Sequence, residues 1–215
     1  MVAENFRYEE ENNIIKDIIS KGTIGEIMYF IQNTGADFEN DMSGNTFAAK
    51  EWRQHPQYKG GIFLDGGIHD IARMRHLFGD IASIYACGRA QQEDYNQYMT
   101  INALIKFKNN VTGMYSYYAQ GTEKQIPPVG LRLFGTLGSV YLESKSKGVI
   151  QVFYNDGKVE NRNFTPAMGY YNELLNFYDS MVTGKEIVST PEKELGDIEA
   201  IFDILQSIDN DVLIK

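Results

Sequence analysis

Apolar residues recur at the spacing of a helix in four stretches of the chain. The pattern predicts helices over residues 9–21, 65–78, 171–183 and 191–208. Three of these stretches are followed by a glycine that can end a helix: Gly22, Gly79 and Gly184. The last stretch begins with Thr190 and Pro191, an N-cap residue and a favoured first residue of a helix. Helices are therefore expected at both ends of the chain and once in between.

The remaining apolar segments alternate with polar residues or form short continuous runs, which predicts strands. The expected strands are residues 24–33, 81–91, 98–107, 111–119, 129–134, 139–143, 149–154 and 159–164. Short turns join several of them, and Asn155-Asp156-Gly157-Lys158 is typical of a hairpin. Because parallel neighbours need a long crossover, most strands should be antiparallel. The expected fold is α+β, a large, mostly antiparallel open sheet with helices covering one face, in one domain over residues 1–215.

The sheet face that the helices leave uncovered is expected either to face water or to pair with a second copy of the chain. Strand residues such as Met114-Tyr115-Ser116-Tyr117-Tyr118 alternate polar and aromatic side chains. Tyrosine is enriched at protein interfaces, and the chain has 14 tyrosines. A homo-oligomer formed through the sheet face is therefore expected.

Composition and charge narrow the class of protein. The chain is 43% apolar and 23% charged, which is ordinary for a globular protein. Its net charge of −9 argues against a nucleic acid or an anionic membrane as partner. No apolar run reaches the roughly 20 residues that span a bilayer. A single cysteine, Cys87, and a start without a signal-peptide pattern favour the cytoplasm.

Asp65 and His69 form the first candidate site. They lie four residues apart, so that both fall on one face of the expected helix, and Asp65 lies near its positive end. Histidine titrates near neutrality and can accept a proton from an alcohol, while a carboxylate can orient the ring. The alternative is that Asp65 only caps the helix and His69 is a satisfied, half-buried histidine.

Two neighbouring features bear on this site. His76 lies on the same stripe, but it is about 10 Å from His69 along the helix axis, too far to share one metal ion; no metal site is expected. The polar segment of residues 34–58 is expected to be a loop, with His55 on the surface. Its Trp52 is expected either to close the edge of the core or to form a wall of the pocket.

Several motifs follow one another in order along the chain. The most specific run is Trp52-Arg53, Lys59-Gly60-Gly61, Leu64-Asp65-x-Gly67-x-His69 and Leu77-x-Gly79. Further motifs are Lys21-Gly22-Thr23-Ile24-Gly25-Glu26-Ile27, Gly135-Thr136-Leu137-Gly138 and Tyr171-x-Glu173-Leu174-x-x-Phe177. Together they resemble the C-terminal domain of the Gfo/Idh/MocA oxidoreductases, and residues 1–8 resemble the strand by which that family's chain leaves its nucleotide-binding domain.

The resemblance implies the substrate-binding and oligomerisation domain of an NAD(P)-dependent oxidoreductase that acts on a sugar, polyol or inositol-like secondary alcohol. His69 would accept the hydroxyl proton, and Asp65 would orient His69 or bind a neighbouring hydroxyl. The residues expected to contact the substrate are Asn5, Arg7, Trp52, Asp70 and Tyr171. Arg7 could equally form a structural ion pair, and Tyr171 could belong to the core. Ala72 replaces an aspartate common in the family, which Asp70 can replace only in part.

The family's nucleotide-binding motif is missing from the sequence. No strand leads through G-x-G-x-x-G into a helix, and the E-K-P lysine that the family places near the reacting alcohol is also absent. NAD or NADP is therefore expected to bind a separate or missing Rossmann domain, without which the chain is expected to be inactive. The alternative is a free-standing, non-catalytic binding or dimerisation module derived from the same family.

Overall fold

The strands predicted from the apolar pattern form one eight-stranded sheet. The computed structural model describes residues 1–37, 49–90, 98–120 and 129–215. The strands are β1 (Ile27–Asp37), β2 (Ile81–Ala90), β3 (Tyr98–Phe107), β4 (Thr112–Gln120), β5 (Gly130–Gly135), β6 (Gly138–Leu142), β7 (Val149–Tyr154) and β8 (Val159–Asn163). Their order across the sheet is β2-β3-β4-β1-β5-β6-β7-β8.

The sheet is mostly antiparallel, as expected from its short connections. In the described part of the chain the exception is β1 with β4, which pair in parallel from Tyr29 opposite Thr112 to Asp37 opposite Gln120. β1 lies near the centre and pairs antiparallel with β5 on its other side. Because the parallel pairing with β4 extends that far, β1 continues to Asp37, past the predicted end at residue 33, whereas its pairing with β5 ends at Asn33. The rest of the predicted loop up to residue 48 lies outside the described residues.

Five helices and three shorter helical turns complete the described fold. The helices are α1 (Glu10–Ser20), α2 (Glu51–Gln54), α3 (Ile68–Phe78), α4 (Gly169–Thr183) and α5 (Pro191–Asn210). Two 3₁₀ turns cover Asn5–Tyr8 and Lys145–Lys147, and a π-helical turn covers Phe63–Gly67. Residues 5–8 were expected to belong to a strand and instead form a 3₁₀ turn, which Glu4 caps by accepting a hydrogen bond from the backbone N–H of Phe6 at 3.0 Å.

The core lies between the sheet and the helices. Helices α1 and α3 pack together, α5 packs against α3 and β2, and the α+β architecture with helices on one face is confirmed. The largest fully buried side chains are aromatic: Phe30, Phe63, Phe107, Tyr115 and Tyr117. Burying a large apolar side chain contributes roughly 1.5–3 kcal/mol each, so this layer accounts for much of the driving force for folding. No helix in the described ranges is long and apolar enough to cross a membrane.

The outer face of the sheet exposes several apolar side chains among the described residues. Tyr115 and Tyr117 are buried in the core, so these two tyrosines do not contribute to that face. Met114, which precedes Tyr115, points outward and is 47% exposed. It pairs with Ile31 of β1 and with Leu104 of β3, and Leu104 is 57% exposed. Side chains alternate across a strand, and this register therefore decides which residues reach the surface.

Candidate active site

A π-helical turn leads into the helix that carries the candidate histidine. The chain is helical from Gly61, where Gly60 and Gly61 adopt positive φ values of 94° and 48° that favour glycine. The expectation that the helix begins near Asp65 is therefore wrong by one turn, and Asp65 lies within the π-helical turn. Gly67 is required there by close packing, because a Cβ atom would lie 2.6 Å from the Phe63 ring. Such π-helical turns are frequent at functional sites.

His69 is held by the N-terminal 3₁₀ turn. Its Nδ1 atom lies 2.8 Å from one carboxylate oxygen of Glu4 and 3.0 Å from the other. Its ring stacks on Phe6, with centroids 4.8 Å apart and planes 16° apart. The His69 side chain is 35% exposed and that of Glu4 is 6% exposed. The ring is thus fixed on one side and accessible to a ligand.

The surroundings of His69 favour its charged form. Burial lowers the pKa of His69, but the hydrogen bond and charge of Glu4, with the charges of Asp70 and Asp65, outweigh burial and raise the pKa above its ordinary value. Both hydrogen-bond contacts that the described residues make with the His69 ring involve its Nδ1 atom. A ring held in this way through Nδ1 can exchange a proton with a bound molecule through Nε2.

Asp65 and His69 share a helical face, but the two side chains have different partners. The Asp65 carboxylate lies 2.9 Å from the guanidinium of Arg53, and both side chains are partly exposed. The carboxylate that contacts His69 is Glu4, 65 positions away in sequence. Sequence reasoning missed Glu4, although the segment containing it was identified as part of the family resemblance.

Asp70 lies on the buried side of the same helix. It is 4% exposed and accepts a hydrogen bond from the Tyr115 hydroxyl at 3.0 Å. Burial raises the pKa of Tyr115 well above its usual value, and the Asp70 charge adds to that effect. The guanidinium of Arg73 is 3.9 Å from Asp70. Asp70 therefore connects the helix to the sheet beneath the His69 site.

The other sequence candidates are distributed around the fold. Asn5 is buried and donates a hydrogen bond to Glu9 at 3.5 Å. Trp52 is 47% exposed, and the guanidinium of Arg53 lies 4.8 Å from its ring centroid. Tyr171 is 60% exposed on α4, so the structure does not place it in the core. His55 is exposed.

Arg7 is buried and directed at the final helix. It is 3% exposed, and it donates from Nε to Glu194 at 2.7 Å and from an Nη atom to Asp197 at 2.5 Å. Both carboxylates are also buried. The two charged hydrogen bonds tie the N-terminal turn, and with it Glu4 and Phe6, to α5.

His76 lies at the other end of α3, and its Nε2 atom has no hydrogen-bond partner in the ranges that the structure describes. Burial, with the charges of Lys16, Arg7 and Lys193, lowers its pKa to about 3. No cluster of three potential metal ligands occurs within the described ranges.

Taken together, the contacts of His69 define the candidate site as Glu4, Phe6, His69 and Asp70.

Comparison with known families places the chain in a class. Residues 13–141 match the model of the GFO/IDH/MocA C-terminal domain. This match covers more than half of the chain, so the chain belongs to the GFO/IDH/MocA family. The relationship expected from the sequence motifs is confirmed.

Two relatives show similarity along the sequence. The chain is 29% identical over 192 residues to the uncharacterized protein YMR315W of Saccharomyces cerevisiae, covering 84% of this chain and 53% of that protein. It is 30% identical over 105 residues to dehydrogenase FPY6 of Fusarium mangiferae, covering 49% of this chain and 26% of that protein. The chain therefore spans about half or less of the length of these relatives.

Solved structures share the fold across the whole chain. Levoglucosan dehydrogenase in complex with NADH and L-sorbose has a TM-score of 0.82 at 18% identity, covering 100% of this chain and 65% of that one. An oxidoreductase from Thermotoga maritima has a TM-score of 0.79 at 23% identity, covering 99% and 61%. An oxidoreductase from Agrobacterium radiobacter, solved with NAD+, L-tartaric acid and magnesium, has a TM-score of 0.79 at 17% identity, covering 100% and 64%.

Proposed function

We propose that this chain is the substrate-binding and proton-transferring domain of an NAD(P)-dependent oxidoreductase acting on a secondary alcohol of a sugar, polyol or inositol-like molecule. The observation that carries the proposal is the accessible His69 ring, held through Nδ1 by the buried Glu4 carboxylate. Membership of the GFO/IDH/MocA family supports the class of reaction. The fold shared with levoglucosan dehydrogenase, solved with NADH and L-sorbose, supports a sugar-like substrate.

His69 is proposed to move the hydroxyl proton. A carboxylate at Nδ1 favours the tautomer that carries its hydrogen there, which leaves the lone pair of Nε2 free to accept a proton. Glu4 then stabilises the resulting imidazolium at a distance of 2.8 Å. A nicotinamide cofactor supplies the acceptor for the hydride that leaves the same carbon. Glu4 is thus proposed as the residue that positions His69, a role that sequence reasoning gave to Asp65.

Asp65 and Trp52 remain proposed substrate contacts. Both are partly or well exposed, and Arg53 contacts each of them, which limits their motion. An exposed carboxylate and an aromatic surface are suited to hydroxyl groups and to the apolar face of a sugar. Tyr171 is retained as an exposed candidate on α4.

The buried candidates are proposed to act through their neighbours. Asn5 and Asp70 bond to Glu9 and Tyr115, so we propose that they shape the site rather than contact the substrate directly. For Arg7, two buried ion pairs favour the structural alternative.

The cofactor is proposed to bind outside this chain. Its sequence contains no G-x-G-x-x-G motif between a strand and a helix. Its described parallel strands, β1 and β4, are separated in sequence by β2 and β3, so they do not form a simple strand-helix-strand unit. We therefore propose that NAD or NADP binds a nucleotide-binding domain, of the kind the family carries, joined to or assembled with this chain.

Helix α4 offers a surface suited to such a domain. Its apolar side chains are largely exposed, including Tyr170, Leu174 and Met181 at 69%, 64% and 64%. Their helical periodicity is that of a buried helix, yet α4 packs mainly on the 3₁₀ turn of Asn5–Tyr8. Exposed apolar patches of this kind mark interaction sites. A domain docked on α4 would lie beside the turn that holds His69.

The outer sheet face is proposed to join two copies of the chain. A row of aromatic contacts crosses the strands there, with Tyr29 stacked on Phe134 at 4.4 Å and Tyr141 near Phe153 at 4.9 Å. With the exposed Met114, this row gives a face that a second copy can match by two-fold symmetry.

The exposed free thiol of Cys87 supports the proposed cytoplasmic location.

Turnover of a His69→Ala variant tests the function. The chain is assayed together with a nucleotide-binding domain, as the longer polypeptide or with the domain added, against a panel of polyols and NAD(P)+. We expect His69→Ala to lower kcat at least 100-fold with unchanged NADH affinity. His55→Ala, at an exposed histidine, is the matched control. Unchanged kcat in His69→Ala would overturn the proposal, as would tight NADH binding by the 215-residue chain alone.

A further inference from the structure

A cleft of about 310 Å³ opens beside Phe6, between α3 and the sheet. It is called the Phe6 cleft here, and its lining includes Phe6, Gln32, Gly66, Asp70, Arg73 and Lys145. Phe6 also contacts His69, because the two rings stack with their centroids 4.8 Å apart. The Phe6 cleft is therefore adjacent to the proposed proton acceptor.

Arg73 in this cleft is buried with few partners. It is 5% exposed, and its one hydrogen bond in the described structure runs from Nη1 to Gln32 at a long 3.4 Å. Its Nε atom has no hydrogen-bond partner within the described part of the chain. A buried guanidinium normally uses its planar fork to bind a carboxylate or phosphate with two parallel hydrogen bonds. Asp70 does not fill this role, because it lies 3.9 Å from Nη1 and accepts its bond from Tyr115.

Two further hydrogen-bond donors lie near the Phe6 cleft. The ammonium of Lys145 lies 4.4 Å from the centroid of Phe6, at the exposed edge of the cleft. The Tyr117 hydroxyl is buried without a hydrogen-bond partner among the described residues and would lie 3.4 Å from a Cβ atom placed on Gly66 in the cleft wall. Burial and the charges of Asp70 and Asp65 hold the pKa of Tyr117 well above its usual value, so its hydroxyl keeps its proton.

The nearby carboxylates leave these donors available. Glu143 is engaged by Arg132 at 2.6 Å. Glu11 is fully buried, and burial raises its pKa, against the opposing charges of Arg73 and Lys145. Asp70 is thus the one lining carboxylate in contact distance of Arg73 within the described residues.

We propose that the Phe6 cleft binds the carboxylate of the substrate, so that the alcohol oxidised at His69 belongs to a polyhydroxylated acid rather than to a neutral polyol. Arg73 grips the carboxylate through Nε and an Nη atom, and Lys145 adds a second positive charge at the rim. A planar carboxylate matches the planar guanidinium fork. This inference rests on the proposed function, since it names the substrate class of the same site.

Binding of D-gluconate and D-glucitol to the chain tests the proposal without turnover. The two probes share their hydroxyl pattern and differ in the carboxylate. We expect gluconate to bind at least 10-fold tighter in calorimetry, with the difference shrinking as ionic strength rises. We also expect the Nε–Hε resonance of Arg73 to shift in nitrogen-15 NMR when gluconate, but not glucitol, is added.

Variants then assign the preference to its residues. Arg73→Gln should remove the preference for gluconate, Arg73→Lys should leave part of it, and Lys145→Gln should reduce it 2- to 5-fold. Lys158→Gln removes the same charge on the distant β7–β8 turn and should change nothing. The NMR shift in the unmodified chain keeps the test valid if Arg73→Gln does not fold.

Equal affinity for the two probes, or a preference that survives both Arg73→Gln and Lys145→Gln, would overturn the carboxylate site. Neither result bears on His69, which turnover of a neutral polyol tests separately. Conversely, a preference for gluconate combined with unchanged turnover in His69→Ala would support the carboxylate site and overturn the proposed role of His69.

Discussion

Arg7→Met distinguishes the structural role of Arg7 from a role in substrate binding. The guanidinium donates to Glu194 at 2.7 Å and to Asp197 at 2.5 Å, and the three side chains are 3%, 9% and 0% exposed. Methionine keeps much of the volume but removes the ion-pair partner of Glu194 and one of the two guanidinium partners of Asp197, which keeps Arg75 at 2.5 Å. Burial already raises the pKa of Asp197 to about 7, with Arg7 and Arg75 acting in the opposite direction.

The expected cost follows from burial. Removing one partner of a buried ion pair costs roughly 3–5 kcal/mol, because the remaining charge is left uncompensated. In a chain of this size each kcal/mol lowers Tm by about 2–4 °C, so Tm should fall by about 6–20 °C. The loss of stability should be larger at pH 8 than at pH 5, because Asp197, whose pKa is about 7, is protonated and neutral at pH 5.

The assay is thermal unfolding followed by circular dichroism at both pH values. Arg162→Met is the matched control: the side chains of its ion pair with Glu160 are 42% and 30% exposed, and ion pairs near the surface contribute little to stability. Its Tm should therefore change by less than about 4 °C. A Tm for Arg7→Met within 2 °C of the unmodified chain, together with lost polyol binding, would refute the structural assignment.

Two further outcomes are expected. His76 has a folded-state pKa of about 3, lowered by burial and nearby cations, against 6.5 when unfolded. The unfolded chain therefore binds more protons between these values, so the free energy of unfolding should be retained above pH 6.5 and fall as the pH drops toward 3. His76→Gln should flatten this dependence in denaturant titrations, and an unaltered slope would contradict it. Separately, Met114→Glu should convert a dimer to a monomer in analytical ultracentrifugation, whereas Leu137→Glu, at an exposed turn, should not; a dimer that persists in Met114→Glu would exclude the sheet face.

The sequence predicted the elements well because their signals are local. Period-two patterns and turn residues define a strand within a few residues, and short connections make neighbours antiparallel. The parallel pairing of β1 with β4 and the extension of β1 to Asp37 depend on strands far apart in sequence. The inward direction of Tyr115 and Tyr117 likewise follows from register, which a single strand does not reveal.

The candidate site could be predicted only in part. The helix carrying His69 was recognisable from its glycines and periodicity, but the π-helical turn moved its start before Asp65. The contact between Glu4 and His69 joins positions 65 apart, so no spacing rule identifies it. Arg53 contacts Asp65 from α2, a short helix within a segment that was expected to be a loop. The exposure of the apolar side of α4 could not be predicted, because the sequence pattern is the same whether the surface that covers this side belongs to this chain or to a partner.

The pKa of His69 in the unmodified chain and in Glu4→Gln, followed by nitrogen-15 NMR titration, tests the central claim most directly. We expect a pKa above 6.5 that falls in Glu4→Gln, since the hydrogen bond and charge of Glu4 are lost while burial remains. We also expect the hydrogen of the neutral ring to reside on Nδ1 in the unmodified chain. An unchanged His69 pKa in a folded Glu4→Gln variant, or a neutral ring protonated on Nε2, would contradict the proposed role of this pair.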